Sequence, residues 1–106
     1  MDYEDVVRES ARLAMGETKP LETAVAIYLY IRMPIPASYS KARTRDCLMG
    51  VEKHTKKPDW DNVAKAITDA LNGIVYLDDC QIVSAHIKKL YGAEPCVDVL
   101  VKEELE

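Results

Sequence analysis

The stretch Thr23-Ala24-Val25-Ala26-Ile27-Tyr28-Leu29-Tyr30-Ile31-Arg32-Met33 decides the fold, because its apolar period is two. Val25, Ile27, Leu29, Ile31 and Met33 share one face and Ala24, Ala26, Tyr28, Tyr30 and Arg32 the other, as in a strand with one face in a core. Pro34 and Pro36 stop it. On either side the period changes. Before the strand, Tyr3, Val7, Ala11 and Ala14 recur at helical spacing between a capping Asp2 and a terminating Gly16, which predicts a helix from Asp2 to about Met15. After it, Ser38 can cap a second helix through Tyr39, Ala42, Cys47 and Leu48, which Gly50 ends. Val63, Ala66, Ile67, Ala70 and Leu71 form the stripe of a third helix, closed by Asn72-Gly73. Alternation returns over 81–91, with Val83, Ala85 and Ile87 opposite Ile82, Ser84 and His86, and again over 96–102 with Val97, Val99 and Val101 on one face. Gly92, Glu94 and Pro95 form a turn, so a hairpin of the last two strands is the simplest pairing. The expected fold class is α+β: a small mixed or antiparallel sheet, from strands near 23–33, 81–91 and 96–102, covered by three helices.

A chain of 106 residues, 48% of them apolar, fits a single domain whose surface fraction is high enough for an oligomer contact to add stability. No run approaches the roughly 20 apolar residues that a bilayer requires, and Met1-Asp2-Tyr3-Glu4-Asp5 is acidic rather than signal-like. The expectation is a soluble cytoplasmic protein with no membrane partner. Cys47, Cys80 and Cys96 are odd in number and widely spaced, against both a disulfide framework and a zinc cluster. Net charge is −4, yet Lys41, Arg43, Arg45, Lys53, Lys56 and Lys57 face only Asp46 and Glu52 between positions 41 and 57. Screening over about 8–10 Å makes local charge outweigh the total, so this patch can hold a phosphate backbone; a solvated helix face is the plainer reading.

Four carboxylates fall in one small unit: Lys57-Pro58-Asp59-Trp60-Asp61-Asn62, a short helix, then Leu77-Asp78-Asp79. Pro58 disfavours a helical residue before it and Asp61 or Asn62 can cap, so the first pair sits where an extended segment becomes helix. Clustered carboxylates resist joint ionisation, and Mg²⁺ or Mn²⁺ relieves the repulsion through oxygen ligands; the natural chemistry is phosphoryl transfer. Lys65, one turn after Asp61, is either an i, i+4 ion-pair partner, which spacing alone favours, or a contact to the scissile phosphate. Asp69 reads as a solvated residue or a partner of Lys65, and Asp78 as a ligand or a turn residue. His54 has neighbours suited to phosphate contact but no second histidine at ligand spacing, and His86 lies in a strand; both read as structural.

Taken in order, Met33-Pro34-Ile35-Pro36-Ala37-Ser38-Tyr39-Ser40-Lys41, His54-Thr55-Lys56-Lys57-Pro58-Asp59-Trp60-Asp61-Asn62, Asp69-Ala70-Leu71-Asn72-Gly73 and Asp78-Asp79-Cys80-Gln81-Ile82-Val83 closely resemble the RusA family of Holliday junction resolvases. More narrowly they resemble its prophage-borne branch, over roughly residues 24–102. The resemblance implies a homodimeric, Mg²⁺-dependent endodeoxyribonuclease that resolves four-way DNA junctions by paired symmetric incisions, in recombination and repair. It implies Asp59, Asp61 and Asp79 as metal ligands, Asp78 as their support and Lys65 as a catalytic basic residue. Lys41, Arg43, Arg45, His54, Lys56, Lys57 and Asn62 would then contact branched DNA, the basic ones through phosphates. Family members usually begin with a strand and a basic loop, whereas this chain starts almost at its first helix. The alternative expectation is therefore a module that binds branched DNA or a recombination partner without cutting.

Overall fold

The computed structural model describes residues 2–105. In chain order these form α1 (Tyr3–Met15), β1 (Val25–Met33), α2 (Lys41–Leu48), α3 (Trp60–Ala70), a 3₁₀ turn over Asp79–Gln81, β2 (Ile82–Tyr91) and β3 (Cys96–Glu103). The α+β class, the three helices and the mixed sheet follow the expectation. The pairing does not: strand order is β2-β1-β3, with β1 parallel to β2 and antiparallel to β3, so the expected hairpin of the last two strands is absent.

The physical reason lies in β1. Val25, Ala26, Ile27, Leu29 and Ile31 are all buried, and only a central position shields the backbone of so apolar a strand along both edges. The turn after β2 must then cross the end of β1. It does so with Gly92, whose N–H donates to the Met33 carbonyl (3.0 Å) and where a Cβ would approach the Arg32 Cβ to 2.9 Å.

A second difference concerns the start of β2. Val25 pairs with Ile82 but Ala26 pairs with Ser84, so Val83 is the extra residue of a bulge. Val83 turns out to solvent and Ile82 packs against the core, and beyond the bulge Ile87 faces the core opposite Leu29, so the alternation expected over 81–91 is broken at its start.

Ala11 of α1, Ala64, Ile67 and Leu71 on and just after α3, and Tyr76 complete the core against the Val25, Ile27, Leu29 and Ile31 face of β1. The core thus lies on one side of the sheet. On the other side Tyr30, Leu100 and His86 are exposed. Among the described residues no helix is long and apolar enough to cross a membrane.

Helix starts also differ from expectation. Ser40, not Ser38, caps α2, its Oγ accepting the Arg43 N–H at 3.1 Å. At α3 the N-cap is Asp59, in extended conformation, and Asp61 and Asn62 lie within the first turn.

Candidate active site

Asp59 stands at the junction of loop and helix with no hydrogen bond from its side chain to the α3 N-terminus. Its carboxylate is therefore free for another partner, although aspartate at that position commonly caps. The loop before it is anchored from the sheet: Lys89 of β2 donates its ammonium to the carbonyls of Lys56 (2.6 Å) and Pro58 (2.9 Å). Asp61 follows on the first turn of α3, and Lys65 and Asp69 lie one and two turns further on. The Lys65 Nζ is 3.3 Å from Asp69 Oδ2, so the ion-pair reading of Lys65 is met, with Asp69 as partner.

Asp78 and Asp79 are adjacent but turn to different tasks. The Asp78 carboxylate accepts the Cys80 N–H at 3.0 Å, and Gln81 Oε1 accepts the Asp78 N–H at 2.9 Å, a reciprocal cap of the 3₁₀ turn. Bonds from Cys80 hold the Asp78 carboxyl below its ordinary value. Gln81 also donates Nε2 to the carbonyls of Leu21 (2.9 Å) and Thr23 (2.8 Å), which ties this turn to the chain entering β1. Asp79 is left free of the cap. Desolvation first, then a hydrogen bond with Asp69 and the charges of Asp78 and Asp69, push its carboxyl above the usual range, while Lys65 pulls the other way. Tyr76, fully buried, donates its hydroxyl to the Thr68 carbonyl (2.7 Å) and so holds the Asp78-Asp79 turn near α3; burial raises its phenol.

The structure thus pairs Lys65 with Asp69, whose charges both bear on Asp79, and sets Asp59 and Asp61 at the head of the same helix. Among the described residues no three carboxylates stand close enough to enclose an ion by themselves. Repulsion is consistent with this, and two of the carboxylates have found separate partners: Asp69 an ammonium and Asp78 a backbone N–H. The donors nevertheless suit Mg²⁺ or Mn²⁺, being oxygens only, with one carboxylate unspent and another whose ionisation a cation would favour.

The basic residues divide as well. The Arg43 guanidinium forks onto Glu52 (Nε 2.9 Å, Nη2 3.0 Å) and lies 3.6 Å from the Tyr39 ring centroid, so it braces the connector after α2. The Lys56 ammonium donates to the Tyr39 hydroxyl at 3.1 Å and lowers that phenol, with a further bond from Tyr91. His54 turns inward, edge-on to Tyr91 with centroids 4.9 Å apart. Its Nδ1 is buried without a hydrogen-bond partner, and burial with the nearby Lys89 charge lowers its pKa, so it is neutral at pH 7 and packs the connector. Lys41, Arg45, Lys57 and Asn62 remain exposed.

Sequence reasoning missed three contributors. Gln81 follows Asp78 by three, the capping-box spacing, and was legible in principle. Asp69 was legible as a partner of Lys65, but its effect on the Asp79 carboxyl joins residues on separate elements. Lys89 carries no local signal, since its role depends on a loop more than thirty residues away.

In comparison with known proteins, residues 1–102 match the family model described as Endodeoxyribonuclease RusA. Over 86 residues the chain is 38% identical to the "Uncharacterized protein YqaN" of Bacillus subtilis (strain 168), an alignment covering 81% of this chain and 59% of that protein. The chain therefore spans about three fifths of that relative's length.

Proposed function

The chain belongs to the RusA endodeoxyribonuclease family, and on that premise we propose that it is a divalent-metal-dependent nuclease that resolves four-way DNA junctions. The observation that carries this reading is the Asp59 carboxylate, left without a cap bond at the head of the helix that also bears Asp61, Lys65 and Asp69. Aspartate at that position ordinarily accepts a backbone N–H, so one without a cap bond keeps its oxygens for a cation.

Asp59, Asp61 and Asp79 are the residues that would hold Mg²⁺, with Mn²⁺ as a substitute. When bound, the metal supplies an activated water and neutralises charge on the phosphate. Asp78 acts from behind by fixing the turn that carries Asp79. Lys65, 75% exposed at its side chain, can leave Asp69 and place its ammonium on the phosphate as negative charge develops there. Lys41, Arg45, Lys56, Lys57 and Asn62 hold the junction arms, with Arg43 and His54 stiffening the surface that presents them.

Paired cuts in strands of opposite polarity call for two sites related by a two-fold axis, hence a homodimer. The outer edge of β3 supports this. Glu104 donates its N–H to Ala24, so even-numbered residues face β1, and Val97, Val99 and Val101 direct their backbone groups outward beside an apolar groove of about 690 Å³ under α1. A second copy of the chain is the occupant we assign to that edge.

Incubation with a synthetic four-way junction and Mg²⁺ tests the reading. Symmetric paired nicks are expected; a chain that retards the junction but never nicks it is the non-cleaving module instead.

A further inference from the structure

The sheet face turned away from the helices carries an aromatic and basic surface that the nuclease reading leaves unused. Tyr28 of β1 and His86 of β2 are register partners whose rings stack, centroids 5.3 Å apart and planes 18° from parallel. The Lys102 ammonium of β3 lies 5.2 Å from the Tyr28 centroid. Two residues along β1, Tyr30 is 44% exposed, flanked in register by Lys88 and Asp98, and Asp98 is taken up by an ion pair with Arg32. Lys88 and Lys102 are thus left as net positive charge on this face of an anionic chain.

We propose that this uncovered face binds unpaired nucleotides of single-stranded DNA. Among the described residues β2 is an edge strand with no strand beyond His86, and His86 is exposed. A base can extend the Tyr28–His86 stack from that end, and a second can lie on Tyr30, about 7 Å from Tyr28 along the strand. Sheets that display aromatic side chains on adjacent strands bind nucleic acid in this way, and stacking tolerates any sequence because every base has a π-face. Lys88 and Lys102 supply phosphate contacts at the two flanks. A duplex offers no free base face, so the ligand is the unpaired strand. The surface lies on the opposite side of the sheet from α3 and its aspartates, and the inference does not rest on the nuclease reading.

The test is fluorescence anisotropy of a labelled oligothymidylate in EDTA at low salt. The chain should bind it; Tyr30→Ala and His86→Ala should each weaken binding about 10-fold, and Tyr30→Phe, which keeps the ring, should leave it unchanged. Lys88→Ala should lower the slope of log affinity against log salt by about one. All of these side chains are exposed or on the open face, so melting temperatures should hold; should His86→Ala unfold, Tyr30→Ala decides. Absence of binding, unchanged affinity in Tyr30→Ala, or equal weakening toward a duplex of the same length would overturn the inference. No metal is present and nothing is cut, so a chain without nuclease activity can still satisfy the test, and an active nuclease can still fail it.

Discussion

The Lys65 Nζ lies 3.3 Å from Asp69 Oδ2, and the charge of Asp69 also helps to raise the Asp79 carboxyl, so a single side chain bears on both the lysine of α3 and the turn before β2. Replacing it separates the two. Asp69→Asn removes the like charge beside Asp79, whose carboxyl should fall back toward the ordinary value near 3.9. Metal binding needs Asp79 ionised, so the acid limb of the cleavage pH profile should move to lower pH in this variant; an unmoved limb would contradict the coupling. The sign for stability is opposite. With the folded carboxyl above its unfolded value, the metal-free chain is most stable below the unfolded value and loses that contribution as pH rises through the folded one.

Mg²⁺ should therefore act as a stabilising ligand. At 100 times its dissociation constant the metal adds about 2.7 kcal/mol, a rise in Tm of roughly ten degrees or more for a domain of this size. Differential scanning calorimetry with Mg²⁺ against EDTA should show it for the native chain and lose most of it in Asp59→Asn and Asp79→Asn. The same Asp59→Asn chain should bind the junction as well as or better than the native one while failing to cut it, because one negative charge near the phosphate is gone.

The basic residues should separate into two groups. Lys41→Ala and Arg45→Ala should leave stability within about 0.5 kcal/mol of native while each reduces the salt slope of junction binding by about one. Arg43→Ala should instead lower stability, because it removes a bidentate pair with Glu52, although the exposure of that pair keeps the effect small. Thermal melts beside binding isotherms at several salt concentrations would distinguish the groups.

Gln81 should behave as a positioning residue. Gln81→Ala breaks bonds to Leu21, Thr23 and Asp78, and at about 1 kcal/mol each the loss should be about 3 kcal/mol. Because the turn it secures carries Asp79, kcat should fall with KM nearly unchanged. A large fall in Tm with kcat intact at low temperature would confine Gln81 to folding alone.

What the sequence shows and what it hides follow from the range of the forces involved. β1 was legible because its period of two extends over nine residues and one face is wholly apolar. The helices were legible from their stripes, but their caps were not: both Ser38 and Ser40 can cap, and Asp61 competes with Asp59, choices separated by small local energies. The hairpin failed because turn length says nothing about a third strand competing for the place between its two neighbours. The Val83 bulge was hidden for a similar reason, since valine and isoleucine suit either face and only the register against β1 selects between them. At the site, the residue types came from local pattern. The influence of Asp69 on the Asp79 carboxyl, and the hold of Lys89 on the loop carbonyls, came from tertiary placement.

The position of β1 governs the timing of assembly. Among the described residues the central strand β1 ends at Met33 while both of its neighbours come much later, β2 from Ile82 and β3 from Cys96, so a nascent polypeptide holds this apolar strand without either neighbour until those segments have emerged. The Asp78-Asp79 turn arrives with β2. A partly made chain thus exposes a segment that needs protection from aggregation, but it carries only half of the acidic site, and any capacity to cut DNA appears only when the sheet closes.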